Sequence, residues 1–364
     1  MLGIYYTQMP QDVNHGHVQT IVGLQSFEVI HEDPIFKCCE LYKILRLKAK
    51  EELHAPTSDF SLFTFHFSLY EDALRHWADI EIQNGVPHNN WNFIQARYIL
   101  AIALTLGEND KYQDGRGRQY YLDKVLKDNS VRQWSLKKLA DYGYDPSNGI
   151  WSECPGYSQV VLNDFIAITQ TLRQELGIDL EDSIPGLRLA KRNNCQYLMP
   201  DSMLIGFGDT HPHTPAYLDP TAEILPSFAA PMTSWLVQRG GMNRMGSLAY
   251  ALNASQGNHS HANGISLELY GRGLRLGPDA GIGYSLYSGD DYKEYYSQFP
   301  AHNTVCVDGV SSYPVMMSTH PFQILHVDPA PRSLGKGKAM WLSSAVCFRE
   351  PETQSDQLRQ VVLV

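Results

Sequence analysis

The sequence predicts a multidomain α+β protein in which a helical domain precedes an antiparallel β-sandwich. In the first half of the chain, apolar residues recur with the 3.6-residue period of amphipathic helices. From about Trp235 onward, short runs alternate apolar and polar residues between turn residues, which is typical of strands that bury one face. An irregular stretch rich in Pro, Asp and Thr, residues 200–231, separates the two patterns. We therefore assign residues 1–205 to the helical domain and residues 206–364 to the sandwich.

Loops rich in Gly, Pro, Asn and Asp divide the helical half by interrupting its apolar period. The most apolar segment, residues 93–104, is hydrophobic on nearly every side, so we expect a helix that is buried between other helices. The period predicts helices over residues 17–32, 36–53, 59–82, 92–106, 120–126, 131–142 and 159–176.

The second half contains short alternating runs that end at turn residues. Because side chains on a strand alternate between its two faces, each run can bury its apolar residues against a second sheet. The pattern predicts strands over residues 247–252, 265–270, 304–309 and 322–327.

Composition limits the classes of function that are open to the chain. It has 364 residues, a formal net charge of −10 and an apolar fraction of 43%, which is the composition of a globular protein. A net negative protein is a poor candidate for general nucleic-acid binding, so we expect no nucleic-acid partner. The longest apolar stretch, residues 98–106, is far shorter than the roughly 20 residues that span a bilayer, so we expect no membrane partner. The 21 Tyr, 14 His and 6 Trp residues suit either a cleft for a polar ligand or a tyrosine-rich surface.

Histidines are concentrated in the segment 258–264. If this segment is a strand, His259, His261 and Asn263 share one face. Asp279 follows a proline in a predicted tight turn, and His302 lies at the start of a predicted strand. A zinc ion bound by His261, Asp279 and His302 is one interpretation. Surface histidines, a turn aspartate and a strand-edge histidine are the other, and spacings this long do not decide between them.

Four segments of the chain resemble the heparinase II/III-like polysaccharide lyases, namely residues 238–241, 258–270, 277–281 and 295–305. That family joins an incomplete (α/α) toroid to a β-sandwich, which is the order of domains predicted above. Asn263, where many members carry Asp, and the Glu-Tyr-Tyr-Ser run before Pro-Ala-His-Asn-Thr are most similar to alginate lyases. The resemblance implies a periplasmic or secreted protein, although no signal peptide is recognisable. We also expect the toroid to be incomplete at its N-terminal end and the sandwich at its C-terminal end.

The resemblance implies roles for particular residues. Tyr157 is expected to be the catalytic tyrosine and His259 the histidine that faces the uronate, while Asn90 is expected to neutralise the substrate carboxylate. Because Trp91 follows Asn90 where many relatives carry His, His88 and Asn89 remain alternatives for that task. One structural zinc ion per chain is expected on the His261, Asp279 and His302 set named above. The expected substrate contacts are Asn89, Arg239, Asn263 and Tyr296, and for Arg239 a solvated strand end is an equal alternative.

The implied reaction is β-elimination on a uronic-acid polymer, most similar to that of an alginate lyase. A base removes the C5 proton, an acid protonates the O4 leaving group, and a donor such as an amide or an imidazole stabilises the charge on the carboxylate. The order of groups in the sequence leaves open whether one tyrosine serves as both base and acid. A lyase of the same fold that acts on heparan sulfate or another glycosaminoglycan is the first alternative. A metal-dependent hydrolase and a non-catalytic carbohydrate-binding protein are alternatives of other classes.

Overall fold

The computed structural model describes residues 33–52, 60–211, 214–283, 290–309, 312–313, 315–333, 335 and 340–364. The helix predicted over residues 17–32 lies outside these ranges. None of the helices within them is both long enough and apolar enough to cross a membrane.

The helical half matches the predicted order of helices, with shifted ends. The α-helices are α1 (Pro34–Glu52), α2 (Phe60–Asn84), α3 (Asn90–Ala103), α4 (Arg118–Leu126), α5 (Leu136–Gly143), α6 (Pro155–Leu176) and α7 (Pro185–Asn193). The sequence pattern did not indicate α7. Helix α5 begins later than predicted because the side chain of Asn92 holds the backbone of Trp134 in an extended segment. Its Nδ2 donates to the carbonyl oxygen of Trp134 at 3.0 Å, and its Oδ1 accepts from the N–H of Trp134 at 2.9 Å.

The chain divides into two compact units. Unit 1, the helical unit, comprises Met1–Gly143 and Asp164–Ser183, and unit 2, the strand unit, comprises Tyr144–Asn163 and Ile184–Val364. Each unit therefore consists of two segments that are separate in sequence. The division proposed from sequence, between residues 205 and 206, stays a prediction about domains.

Helix α3 forms much of the interior of the helical unit. Phe93, Ile99 and Ile102 are fully buried, as expected for a segment that is apolar on nearly every side. The ring of Phe93 packs on that of Phe165 with centroids 4.8 Å apart. The charged residue on this helix is Arg97, whose Nη1 lies 2.6 Å from a carboxylate oxygen of Asp164.

The strand unit contains antiparallel sheets, which confirms the predicted α+β class. Its strands are β1 (Ser227–Ala230), β2 (Trp235–Arg239), β3 (Ala249–Asn253), β4 (Ser255–Ser260), β5 (Ser266–Gly271), β6 (Leu274–Gly277), β7 (Met316–His320), β8 (Gln323–Val327), β9 (Arg332–Ser333), β10 (Met340–Arg349) and β11 (Asp356–Leu363). One sheet has the order β1-β2-β3-β5-β6, a second has the order β11-β10-β8 with β9 paired to β10, and β4 pairs with β7.

Side chains from two sheets meet in one apolar core, as expected for a sandwich. Leu236 and Leu252 of the five-stranded sheet pack in the same cluster as Val346 and Phe348 of β10. The hydroxyl groups of Tyr250 and Ser344 are 2.8 Å apart and link the two sheets. The opposite face of the five-stranded sheet is also buried, so β2 and β3 contain buried residues only.

The strand predicted over residues 304–309 is wrong. These residues form a loop, and side chains of β11 bind the backbone oxygen of Val305 within it and that of Asn303 just before it. Arg359 donates to the carbonyl oxygen of Asn303 at 2.8 Å, and Gln357 donates to that of Val305 at 3.1 Å. His302 therefore lies at the end of a short 3-10 turn and not at the start of a strand.

Candidate active site

The end of β4 is approached closely by two segments that are distant in sequence. Gly257 has φ +92°, and a Cβ there would lie 2.3 Å from the carbonyl oxygen of Ser152. Gly208 has φ +57°, and a Cβ there would lie 2.3 Å from the carbonyl oxygen of His259. Glycine is required at both positions by backbone angle and by space. The loop around Gly208 and the segment that leads into α6 are therefore both in contact with β4.

Asp209 lies at the centre of this site, because its buried carboxylate accepts three hydrogen bonds. Oδ2 of Asp209 accepts from Nδ1 of His259, and Oδ1 accepts from Nε2 of His261, both at 2.8 Å. Oδ1 also accepts from the hydroxyl of Tyr292 at 2.8 Å. Burial raises the pKa of Asp209, but the hydrogen bonds from the two histidines outweigh it and lower the pKa to about 2. Asp209 is therefore ionised at neutral pH, and it orients an N–H of each histidine towards itself.

These contacts determine which nitrogen of His259 is left for chemistry. With Nδ1 donating to Asp209, the remaining nitrogen of neutral His259 is Nε2, which can accept a proton. Nε2 lies 4.0 Å from Oε2 of Glu153, a buried carboxylate in the segment before α6. The carboxylates of Asp209 and Glu153 therefore both lie near the ring of His259.

His259 has a backbone conformation that is rare for a residue with a side chain. Its φ is +57°, and the pairing of β4 with β7 is irregular between Gly257 and Ser260, where β4 ends. The expectation that His259, His261 and Asn263 share one face of a strand is therefore wrong. The two histidines meet at a shared carboxylate and not through the period of a strand. A left-handed residue of this kind costs on the order of 1–3 kcal/mol and persists only where its surroundings determine it.

Tyr157 is in direct contact with His259. The two rings are stacked with centroids 3.5 Å apart and an interplanar angle of 7°. Tyr157 lies in the first turn of α6, which begins at Pro155, a residue suited to the first helical position. The N–H of Gly156 donates to Oγ1 of Thr210 at 2.9 Å and so ties this turn to the loop that approaches β4. The structure thus brings together the predicted catalytic tyrosine and the predicted catalytic histidine.

The three predicted zinc ligands lie close to one another. Nδ1 of His302 donates to Oδ2 of Asp279 at 2.8 Å, and the ring centroids of His261 and His302 are 5.4 Å apart. Asp279 also accepts from the hydroxyl of Ser266 at 3.1 Å and from the N–H of Gly281 at 3.0 Å. Burial raises the pKa of Asp279, but the charge and hydrogen bond of His302 outweigh it, so this pKa lies below its usual range.

The donor set fits a zinc ion in part. Nδ1 of His261 and Nε2 of His302 are buried and have no hydrogen-bond partner among the described residues. Each ring donates its other N–H to a carboxylate, which is how histidine ligands of metals are usually oriented. Both oxygens of Asp279 are already hydrogen-bonded, however. In the part of the chain that the structure describes, no group of three or more His, Cys, Asp or Glu side chains is arranged to hold a metal ion. The zinc ion stays a prediction.

The residues expected to neutralise the substrate carboxylate lie at the start of α3, in the helical unit. Asn89 is the N-cap of this helix, and its side-chain oxygen accepts from the N–H of Trp91 at 3.0 Å. Asn90 is the first helical residue and is buried. His88 is partly exposed and packs against the ring of Trp134. None of these contacts tests a substrate role, so all three assignments stay predictions.

Arg239 is buried, so the alternative of a solvated strand end is wrong, and its role as a substrate contact stays a prediction. Only 1% of the residue is exposed. Its guanidinium donates to the carbonyl oxygens of Leu198 and Leu225, at 2.7 and 2.9 Å, and to that of Gln196. Burial lowers the pKa of Arg239 to about 9. The side chain ties β2 to the segment before the sheets.

Asn263 and Tyr296, two further predicted substrate contacts, differ in how much of each side chain is exposed. Asn263 is fully buried and its Nδ2 donates to Oδ1 of Asn253 at 2.6 Å, and its role as a substrate contact stays a prediction. Tyr296 is partly exposed, and its ring lies over Gly283, where a Cβ would be 2.3 Å from the ring. Tyr296 stays a predicted substrate contact.

Sequence reasoning did not assign a role to Asp209, Glu153 or Tyr292. The signal for Asp209 is the pair of glycines around Phe207, because closely spaced glycines indicate a backbone that approaches another segment. Glu153 and Tyr292 give no such signal, since a lone carboxylate or tyrosine occurs in many surroundings.

A second buried carboxylate supports the loop that carries Asp209. Oε2 of Glu268 accepts from the N–H of Gly206 at 2.7 Å, and Oε1 is in contact with the guanidinium of Arg275. Arg275 also donates to Asp201 at 2.9 Å. Burial raises the pKa of Glu268 to about 7, although the charge of Arg275 opposes this. The start of the loop is therefore anchored by an acid that titrates near neutral pH.

Comparison with known proteins agrees with this architecture. Residues 235–339 match the family model described as heparinase II/III-like, C-terminal. The matched segment contains His259, His261, Asp279 and His302. It covers less than half of the chain. A comparison with curated protein sequences gave no significant match.

Solved structures show the same fold over the whole chain. A heparinase III structure matches with a TM-score of 0.64 and 13% identity, over 100% of this chain and 57% of that one. A heparan sulfate lyase from Pedobacter heparinus matches with a TM-score of 0.57 and 14% identity, over 91% of this chain and 52% of that one. The chain thus spans little more than half the length of these structures. The finer resemblance to alginate lyases gains no support from these matches.

Proposed function

We propose that the protein is a polysaccharide lyase that cleaves a uronic-acid polymer by β-elimination. The observation that carries the proposal is the stack of Tyr157 on His259, whose Nδ1 is held by the ionised Asp209. A tyrosine and an oriented imidazole are groups that can exchange protons with a substrate on one face of a sugar ring. The family match of residues 235–339, which include His259, supports the same reaction class.

The reaction assigns one proton to each step. A base removes the proton from C5 of the uronate, the electron pair forms the C4–C5 double bond, and the C4–O4 bond breaks. An acid then gives a proton to the departing O4. Nε2 of His259 and the hydroxyl of Tyr157 are the groups proposed for these transfers, with Tyr157 as the acid. Whether Tyr157 also serves as the base is decided by the stereochemistry of the substrate.

The negative charge that develops next to C5 needs a donor. Lowering the charge on the uronate carboxylate makes the C5 proton more acidic, as donors do at an oxyanion hole. Asn90 is proposed for this task because its side-chain amide can donate to a carboxylate. His88 and Asn89 are the neighbouring alternatives, and Asn89 already has a capping task.

A zinc ion with a structural role is part of the proposal. His261 and His302 would hold it through the two buried nitrogens that lack a partner among the described residues, beside Asp279. Such an ion would brace the segments that carry the histidines. Elemental analysis of the purified protein is expected to find one zinc ion per chain, and none in His302→Ala. A wild-type protein without metal, or a His302→Ala variant that keeps it, would overturn this assignment.

Heparan sulfate is the first substrate to test, because the matched structures are named as heparinase III and heparan sulfate lyase. Alginate is the second, because of the pattern around Asn263 and Tyr296 and because this chain has few basic residues to pair with sulfates. The protein should be incubated with heparan sulfate, heparin, hyaluronan and alginate, and the absorbance of the unsaturated product followed. A signal on at least one polymer is expected. Binding without any product would favour a carbohydrate-binding protein instead.

A further inference from the structure

A cluster of aromatic side chains in the helical unit contains two residues, Trp134 and Tyr142, that have no task in the reaction above. His88, Trp134 and Tyr142 form this cluster, which we call the aromatic platform. The centroid of Trp134 is 5.4 Å from that of Tyr142, with the rings at 80°, and 6.1 Å from that of His88. The rings are not enclosed, since Tyr142 is 57% exposed while His88 and Trp134 are partly exposed. Apolar side chains that form one contiguous exposed surface are a feature of binding sites, unlike apolar residues that are exposed singly.

The backbone of Trp134 in the platform is held by hydrogen bonds from buried side chains. Asn92 hydrogen-bonds both the N–H and the carbonyl oxygen of Trp134. The carbonyl oxygen also accepts from Nε2 of Gln133 at 3.0 Å, and Gln133 is buried and bonded to Gln95 at 2.8 Å. The backbone that presents the indole is therefore fixed before a ligand arrives, which lowers the entropy lost on binding.

The platform also has a cation that no carboxylate neutralises within the described ranges. Nζ of Lys138 lies 3.8 Å from the ring centroid of Trp134, and among the described residues it has no ion-pair partner. The neighbouring Lys137 differs, because its Nζ pairs with Asp141 at 2.7 Å. Lys138 is exposed, and because lysine carries its ammonium on a flexible four-carbon stem, the ammonium can turn from the indole to an incoming anion.

We propose that the aromatic platform and Lys138 form a binding subsite for a uronic-acid residue of a polysaccharide. The C–H face of the pyranose ring stacks on the exposed ring of Tyr142, and its carboxylate pairs with Lys138. His88 supplies a ring nitrogen for a sugar hydroxyl group. An aromatic surface beside one unneutralised cation matches a sugar that has an apolar face and a single negative charge.

This inference rests on the proposed function for its substrate class, but its test does not need catalysis. Binding is measured as the retardation of the intact protein during electrophoresis through gels that contain alginate, heparan sulfate or the neutral polymer hydroxyethyl cellulose. The variants are Lys138→Ala, Lys138→Arg, Tyr142→Ala and Tyr142→Phe. The matched control is Lys137→Ala, which removes an equal charge one residue away.

The expected result is a weaker affinity for the uronate polymer in Lys138→Ala and Tyr142→Ala, by roughly three- to tenfold, as for the loss of one stacking or ionic contact. Lys138→Arg, Tyr142→Phe and Lys137→Ala should bind like the wild type. Retardation by the neutral polymer should not depend on Lys138. In turnover, Lys138→Ala should raise KM and leave kcat unchanged.

Two results would overturn the subsite. One is equal retardation of Lys138→Ala, Tyr142→Ala and the wild type, and the other is an equal loss in Lys137→Ala and Lys138→Ala, since that indicates net charge alone. If no polymer is cleaved but retardation still depends on Lys138 and Tyr142, the lyase proposal fails and the subsite stands. If a polymer is cleaved and neither substitution changes retardation or KM, the subsite fails and the lyase proposal stands.

Discussion

The histidine site of the strand unit and the aromatic platform of the helical unit are built in opposite ways. His259 and His261 are buried, and each is fixed by a hydrogen bond to one ionised carboxylate. The rings of the platform are partly exposed and meet one another at their edges, beside an exposed lysine. Proton transfer requires an orientation that is fixed within fractions of an ångström, whereas stacking on a sugar tolerates adjustment. In this protein, the groups proposed for proton transfer are buried and hydrogen-bonded, whereas the side chains proposed to bind the sugar are exposed.

The largest expected effect tests whether Tyr157 and His259, the stacked pair, transfer protons in the reaction. Tyr157→Phe keeps the ring on His259 and removes the hydroxyl, and His259→Asn removes the proton acceptor. Each should lower kcat by roughly 10²–10⁴-fold, the range for loss of a general acid or base. Product absorbance with excess polymer measures this. Tyr217→Phe, at a partly buried tyrosine elsewhere in the strand unit, is the control and should keep wild-type kcat. A comparable loss of kcat in this variant would contradict a specific catalytic role for Tyr157.

The next effect tests whether Asp209 positions the histidines. In Asp209→Asn one oxygen is replaced by an amide that cannot accept, so one of the two histidines loses its partner. We expect kcat to fall by roughly 10–100-fold with little change in KM, as for other residues that orient a functional histidine. Steady-state kinetics measures kcat and KM, and the imidazole nitrogen signals in NMR report the hydrogen bonds of the two histidines. Unchanged nitrogen signals would contradict the positioning role.

A smaller effect concerns the buried carboxylate that anchors the loop of Asp209. Burial raises the pKa of Glu268 to about 7, above its ordinary value, so the folded protein favours the protonated acid. Stability from this group is therefore complete below the ordinary pKa and is lost as the pH rises through about 7. Glu268→Gln mimics the protonated acid. It should melt like the wild type at pH 4.5 and higher than the wild type at pH 8, by roughly a few degrees.

The pH dependence of the melting temperature is controlled with a variant in the helical unit. Lys137 and Asp141 form an exposed pair, so Asp141→Asn should leave the pH dependence of melting unchanged. A wild type and a Glu268→Gln variant whose melting temperatures differ equally at both pH values would contradict the buried-acid account.

The smallest effect should be seen on the platform itself. Tyr142 is more than half exposed, so Tyr142→Ala should change the free energy of unfolding by no more than about 0.5 kcal/mol, as at other surface positions. His261→Ala should cost more, because it leaves the buried Asp209 with one fewer donor. Urea denaturation compares the two. Equal costs would mean that the platform, like the histidine site, is part of the packed structure.

The sequence predicted the elements more reliably than the contacts. Amphipathic period located the helices from α1 to α6, and alternation located β3, β5 and β8. It failed for residues 304–309, where Gln357 binds the backbone oxygen of Val305 and Arg359 binds that of the preceding Asn303. Such a contact joins residues more than fifty positions apart, and no local pattern records it.

The site was predictable in its residue types and not in its connections. Tyr157 and His259 were named from motifs, and the structure stacks them. Their arrangement depends on Asp209, which only a glycine pattern indicates, and on the left-handed backbone of His259. For Arg239, a solvated strand end was one of two alternatives, and the side chain is enclosed by carbonyl groups instead.

The central claim is that the protein breaks the polymer by elimination, and one measurement tests it most directly. The protein is incubated with the polymer that it degrades in water enriched in the heavy oxygen isotope, and the mass of the products is measured. Elimination predicts an unsaturated end that is lighter by one water than a hydrolysis product, and no heavy oxygen in any product. Products that are heavier by one water and carry the heavy isotope would show hydrolysis and contradict the account.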